Sequence, residues 1–390
     1  MKKWWIVFAV MMLATPAMAA DWSFYGSERM ATFTTYQDFG KNQVNGQDND
    51  AGTLWFFQGN SRLGAKVKAD KITGLIELAT QASSTDSAGD GAVNTRRAYG
   101  TWKFSDSGWL KVGKDYSPTT DFISNQWYDA DNDLLGNGNF YGRRPQGITL
   151  GIGNFELAFL TPQQGNTGGI GSTTTGILTQ VTNKATLAQA GVTGNPDVYF
   201  PKLEADYNLV LGPGYIKPFA GFQYYTVHSG APAQGVQDNI DLYSYVLGVS
   251  TSWNIGAFSI GGQVSYGVNE GLSNWSSGYN NFNQSLPIIK TNGKDVYNNI
   301  DYQAMIVPAL KFTDTLRFEA GFGIRMDQAN GAQGYSQKDG SWVAYLQAMV
   351  TLAPGVFLCP EVGYIDYMDS VAGTDQGYKW YAGAKWQIDF

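Results

Sequence analysis

The densest run of chemistry-bearing side chains is Asp129-Ala130-Asp131-Asn132-Asp133, with Asp121 upstream in the same polar segment, 115–141. Oxygen donors at positions one, three and five match the start of a calcium-binding EF-hand loop. The match stops there. Position six is Leu134, where such a loop needs Gly, and position twelve is Phe140, where it needs Glu. An EF-hand is excluded, and an irregular cation site among the acidic loops stays open. His228 is the single histidine and Cys359 the single cysteine. One of each excludes a two-histidine or multi-cysteine metal site and an internal disulfide. His228 ends the run Tyr224-Tyr225-Thr226-Val227 and reads as a rim residue. Cys359, between Leu358 and Pro360, reads as a lumenal or packing residue in a strand. No catalytic residue, cofactor or resident metal is expected.

The 390 residues carry 33 acidic and 26 basic side chains, a net charge of −7. That balance argues against a nucleic-acid partner, which prefers a basic face. Charged residues make up 15%, below the roughly 25% of an ordinary soluble domain. Lys2 and Lys3 precede an apolar run from Trp4 to Leu13, followed by Thr15-Pro16 and Ala17-Met18-Ala19. A basic start, a short apolar stretch and a small-x-small site are the parts of a cleaved export signal. Residues 1–19 are therefore expected to be a signal peptide, leaving 20–390 as one unit. The apolar run is too short for a spanning helix, which needs about 20 residues.

These candidate residues must be positioned by strands, because the rest of the chain alternates with period two. In the last segment Tyr378, Trp380, Ala382, Ala384, Trp386, Ile388 and Phe390 share one face. Lys379, Tyr381, Gly383, Lys385, Gln387 and Asp389 share the other. Residues 55–68 set Trp55, Phe57, Gly59, Ser61, Leu63, Ala65 and Val67 against Gln58, Asn60, Arg62, Gly64, Lys66 and Lys68. Residues 316–327 set Leu316, Phe318, Ala320, Phe322, Ile324 and Met326 against Arg317, Glu319, Gly321, Gly323, Arg325 and Asp327. Such strands exceed the five or six residues usual in soluble sheets and suit the about 9–11 that a tilted membrane strand needs. A Lys or Arg facing lipid near the midplane costs about 2–4 kcal/mol. The charges here keep to the polar parity, which a wet barrel interior permits.

Connections alternate too. Short turns are expected at 69–70, 105–108, 151–154, 212–214, 254–256, 313–315 and 353–355, and long polar segments at about 37–52, 82–93, 115–141, 161–198, 227–240, 269–298, 327–340 and 367–376. This predicts an all-β fold, a transmembrane antiparallel β-barrel of about 16 strands with short periplasmic turns and long extracellular loops. Sixteen strands leave an aqueous channel. Lys66, Lys68, Arg317, Arg325 and Lys385 are expected to line it, with Lys217, Lys379, Tyr225 and Tyr381 on the same parity. Segment 115–141 is either a solvated surface loop or an inward fold that sets its carboxylates against the wall. Loops 161–198 and 269–298 carry no recognisable binding motif.

Three stretches resemble the trimeric general porins of Gram-negative outer membranes. Asn60-Ser61-Arg62-Leu63-Gly64-Ala65-Lys66 is similar to the family's second-strand motif. Asn94-Thr95-Arg96-Arg97-Ala98-Tyr99-Gly100 followed by Leu110-Lys111-Val112-Gly113-Lys114-Asp115-Tyr116 resembles its central signature. Phe140-Tyr141-Gly142-Arg143-Arg144 resembles the strand entered after its inward-folded third loop. Phe390 with its alternating aromatics resembles the signal read by the barrel-assembly machinery. The resemblance implies a homotrimer in the outer membrane that passes small hydrophilic solutes and ions by passive diffusion. It implies a basic wall of Arg62, Arg96 and Arg143, with Arg97 and Arg144 as the choices one residue out of register. The acidic side would be Asp133, then Asp131 and Asp129, with Asp121 behind them. The chain departs from the pattern in two places. Tyr25-Gly26 is followed by Ser27, with Arg29 the nearest base, and the third loop has Leu134-Leu135-Gly136-Asn137-Gly138 without a Glu. A solute-specific channel for a sugar or an anion is the rival expectation. Small Gly59, Ser61 and Ala65 on the outer face would suit contact between barrels.

Overall fold

The computed structural model describes residues 20–38, 50–80, 93–162, 197–231, 236–275, 285, 287–289, 296–329, 338–369 and 375–390. The expected signal peptide lies outside the described residues, as does most of 161–198.

The sheet is a closed antiparallel barrel of sixteen strands. In chain order they are β1 (Asp21–Asp38), β2 (Asp50–Phe57 continuing as Arg62–Ala69), β3 (Ile72–Thr80), β4 (Val93–Lys103) and β5 (Gly108–Lys114). Next come β6 (Gln146–Ile152), β7 (Phe155–Leu160), β8 (Lys202–Tyr207 continuing as Leu209–Leu211), β9 (Gly214–Ala231), β10 (Val236–Ile255) and β11 (Phe258–Val268). The last five are β12 (Asn299–Lys311), β13 (Leu316–Ala329), β14 (Asp339–Ala353), β15 (Val356–Asp366) and β16 (Tyr378–Asp389). Each strand pairs with its successor, and β1 pairs with β16 from Ser27↔Asp389 to Asp38↔Tyr378, so the ladder has no edge. Closure satisfies every wall strand's backbone without water, which a bilayer demands. At the seam Phe390 exchanges two backbone hydrogen bonds with Gly26.

All seven short turns are present, each within two residues of its expected bounds. Several are as tight as two residues, and there the chain needs a positive φ. Gly153 (φ +59°) and Gly256 (φ +62°) supply it without strain. Alternation also holds. Trp380, Trp386, Phe318 and Phe322 are exposed on the outer face, while Tyr381, Lys385, Glu319 and Arg325 are buried inside.

One stretch departs from it. β2 is interrupted at Gln58–Ser61, so Gly59 and Ser61 are not outward ladder positions. Ser61 is fully buried, accepting from the Arg29 N–H at 2.9 Å, and Gly59 borders the lumen. Of the three small residues expected on the outer face, only Ala65 keeps that parity, which it shares with the exposed Leu63. The break instead lets Gln58 and Asn60 reach inward to the third loop, the long connection 115–145 between β5 and β6.

The third loop folds into the barrel, and with it the interior acquires a packed core. Leu134 and Phe140 are completely buried, and Tyr128 stacks on Tyr381 with ring centroids 3.8 Å apart. Phe140 packs on Phe219 and Trp275. The main chain of Asn137 runs so close to β13 that a Cβ on Gly323 would lie 1.8 Å from its carbonyl oxygen. The loop is held far along the β9–β16 wall, leaving the lumen open on the side of β1–β6.

Candidate functional site: the lumenal constriction

Two wall glutamates hang the loop in place. Glu319 on β13 accepts the Asn125 main-chain N–H and its side-chain amide, both at 2.8 Å. Glu361 on β15 accepts the N–H groups of Trp127 (2.5 Å) and Tyr128 (3.3 Å) and the Tyr381 hydroxyl (2.8 Å). These bonds fix the start of a single helical turn, Tyr128–Asp131. Within this turn and just after it the backbone is repeatedly left-handed, with Asp129, Asp131, Asp133 and Leu134 all at φ between +51° and +59°. Asp tolerates this left-handed region better than most side chains, whereas Leu does not. The alternating aspartates thus have a conformational reason to be there, besides any charge they contribute.

Between this loop and the β1–β6 wall lies a cavity of about 730 Å³. Arg29, Arg62, Arg96, Lys114 and Arg144 line it, opposite Asp131 and Asp133. Asp131 accepts from Arg29 at 2.5 Å and from Asn60 at 2.6 Å, and pairs with Lys385 at 3.3 Å. Lys385 is fully buried, its ammonium 3.2 Å from the centroid of the Trp127 ring. Asp133 makes no ion pair among the described residues, and burial inside the barrel, then the neighbouring Asp131 charge, push its carboxyl well above the usual range. Burial raises Asp129 too, and Lys379 pulls it back.

The basic wall is built by a backbone irregularity. The β3–β4 register shifts between Glu77 and Leu78: Glu77 faces Arg97 and Leu78 faces Thr95, so Arg96 is the extra residue of a β-bulge. A bulge sets two residues against one and re-aims side chains. Both arginines consequently point inward. Arg96 pairs with Glu77 and donates to the Tyr116 hydroxyl. Arg97 pairs with Asp115 at 2.6 Å, which also takes Lys111 at 2.8 Å. The guanidinium carbons of Arg96, Arg97 and Arg144 all stand 5.2–5.4 Å from the Tyr116 ring centroid. Arg62 is 3.8 Å from the same Glu77.

Other expected site residues lie elsewhere. Arg143 is not at the cavity with Arg62 and Arg96. Its φ of +65° turns it away, and Nε donates to the Asn274 carbonyl at 2.8 Å, while Arg144 takes the lumenal place. Asp121 reaches the opposite wall, accepting from Tyr215 (2.8 Å) and Ser250 (2.6 Å). Asp129 does not line the cavity either. Arg325 is on the inner parity but does not line open lumen. It is 1% exposed, paired with Asp301 at 2.6 Å and donating to the Ser285 hydroxyl. Lys385 is likewise sealed under the third loop, and Tyr381 and Tyr225 are buried, which removes them from any open track. Lys66 stands 5.0 Å from the Tyr25 ring and Lys68 pairs in register with Asp21, both toward the turn end. Arg317 is partly exposed beside Glu319. The His228 side chain lies outside the described residues. Sequence reasoning missed Lys114, Tyr116 and Trp127 at the cavity, and the anchoring glutamates. The period-two step from Tyr25 through Ser27 would have placed Arg29 there.

No protein-family model matches the sequence, and no curated protein does. Solved structures do match in fold. The outer-membrane channel DcaP of Acinetobacter baumannii superposes with a TM-score of 0.65 at 16% identity, over 95% of this chain and 98% of that one. The anion-selective porin from Comamonas acidovorans gives 0.58 at 12%, over 95% and 100%. Salmonella typhi OmpF, in a complex with daunomycin, gives 0.55 at 12%, over 95% and 98%. Identities this low carry the architecture: this chain has the fold of outer-membrane channel barrels.

Proposed function

We propose that the chain is an outer-membrane porin of a Gram-negative cell, passing small hydrophilic solutes and ions by passive diffusion through a water-filled eyelet that favours anions. One observation carries the reading. The third loop narrows the lumen without filling it, and the space it leaves is lined by five cationic side chains against two acidic ones. Fixed charge at a constriction selects by sign, because low-dielectric walls focus its field. Arg62 and Arg96 on the wall face Asp131 and Asp133 on the loop, so the field lies across the pore. It orders water and orients dipolar solutes, and an apolar solute must disrupt that order to pass. No bound intermediate or conformational cycle is required. The fold of an anion-selective porin is consistent with this preference.

Export by the 1–19 signal, assembly through the C-terminal Phe390, embedding in outer-membrane lipid and association as a homotrimer belong to the same reading. The deciding experiment is current through the purified, folded protein in a planar bilayer under a KCl gradient. Stepwise ohmic conductance with a reversal potential on the chloride side is expected. A folded, inserted protein that does not conduct overturns the reading. An anion-specific channel is the second reading, favoured by the cationic lining. Saturable block of the chloride current by a particular carbohydrate or organic anion at low millimolar concentration would establish it.

A further inference from the structure

One apolar ring stands in the water of the constriction. Phe122 belongs to the third loop, lines the eyelet cavity and is 43% exposed, whereas Leu134 and Phe140 of the same loop are completely buried. Its flanks explain the placement. Asp121 is held on the far wall by Tyr215 and Ser250. Ile123 packs there so closely that a Cβ on Gly261 would lie 2.2 Å from its Cγ2. Asn125 then hangs from Glu319. With both neighbours turned to that wall, Phe122 is left facing the open lumen.

The ring is part of a ledge. It meets Tyr116 at 4.8 Å between centroids, nearly perpendicular at 75°, and Tyr141 at 6.4 Å. Both separations are those of attractive ring pairs, and all three rings line the cavity. Tyr116 is held in turn by the basic wall. Its hydroxyl accepts from Arg96 and Arg144, whose guanidinium carbons stand 5.4 and 5.3 Å from its ring centroid. One side chain thus joins an aromatic ledge to a cationic patch, within the span of a single small solute. A pore that sorts by charge alone needs the arginines and gains nothing from the ledge. A solute with a planar ring and a carboxylate engages both, its ring stacking on Phe122 while its carboxylate meets a guanidinium fork. We propose that the eyelet prefers aromatic carboxylates, and that Phe122 is the residue that separates them from aliphatic anions. This rests on the pore reading and names the solute class that the pore favours.

Benzoate and acetate are the probes, equal in charge and different in the ring. Their block of the chloride current at about 0.1 M KCl is titrated for wild type, F122S and F122W, each verified as folded by heat-modifiable gel mobility. In wild type, benzoate is expected to half-block at a concentration about fivefold below that of acetate, the scale of one aromatic pair. F122S should raise the benzoate value about threefold and leave acetate within about twofold of wild type, because only the ring contact is lost. F122W keeps a ring face and should stay within about twofold of wild type for both anions. Binding of radiolabelled benzoate to the same folded proteins in detergent, by equilibrium dialysis against a micelle blank, reads the ledge without conduction, with F122S again the weaker binder. A conducting wild type that does not prefer benzoate to acetate overturns the aromatic preference alone. F122S that shifts both anions equally also overturns it, since the change then belongs to the loop and not to the ring. F122W as weak as F122S does the same. A protein that binds benzoate in a Phe122-dependent way yet never conducts keeps the ledge and overturns the pore. One that does neither overturns both.

Discussion

Glu361 is the side chain on which the constriction hangs, and its replacement by Ala should loosen the third loop. The carboxylate is 2% exposed and accepts two consecutive main-chain N–H groups and one hydroxyl. A buried donor left without an acceptor costs about 1–3 kcal/mol. The three are not additive. Water entering the space recovers part of the loss, and Gln126 still donates to the Tyr381 hydroxyl at 2.8 Å. A net weakening of about 3 kcal/mol is therefore the working figure, roughly two factors of ten in the population of displaced-loop states. The loop keeps its other anchors, namely Glu319, the Tyr128–Tyr381 stack and the buried Leu134 and Phe140. The barrel should fold and conduct normally on average. What changes is the record of single channels: excursions to a larger conductance, rare in wild type, become about 100-fold more frequent in E361A. E361Q, which keeps one acceptor oxygen, should fall between. Excursion frequencies within twofold of wild type in folded E361A would refute the claim that this carboxylate anchors the loop.

Three further outcomes follow from the same geometry. R96Q removes a lumenal cation and also exposes Glu77, its buried partner, so the anion preference at 0.1 M salt should drop further than in R62Q, and the difference should shrink at 1 M, where the Debye length is about 3 Å; equal reversal potentials for the two variants would contradict this. Asp133 has a raised carboxyl, so it is protonated further up the pH scale than an ordinary Asp, and it adds negative charge as pH rises through that raised value. Chloride preference should accordingly weaken with rising pH in wild type and lose that step in D133N, read as reversal potential against pH. The exported protein should begin at Ala20 and run as a trimer, checked by intact mass and by native mass in mild detergent; a monomer under those conditions removes the trimer.

The barrel was legible because its rule is simple and repeated. Each strand must hide its charges from lipid, so parity alone assigned the faces of 316–327 and 378–390, and turn residues such as Gly153 and Gly256 marked the reversals. The constriction was legible only in part, and its misreadings have a common physical origin. A one-residue slip reverses every facing in a strand. The site is built at the places where the chain makes such slips: the bulge that turns Arg96 and Arg97 both inward, the break at Gln58–Ser61, and the left-handed residue at Arg143 that hands the lumenal place to Arg144. A regular ladder would have spread these charges evenly between lipid and water. Concentrating cations on one patch of wall requires breaking the alternation there, and a period-two reading cannot see where it is broken. The anchors fail to announce themselves for a different reason. Glu319 and Glu361 look like ordinary lumenal carboxylates in their strands, and only the path of a loop some 200 residues earlier in the chain turns them into its acceptors. Parity can tell which residues enter the lumen. The partners they meet there depend on the loop, whose course is set by close packing at Gly323, Tyr381 and Phe219 rather than by any local pattern.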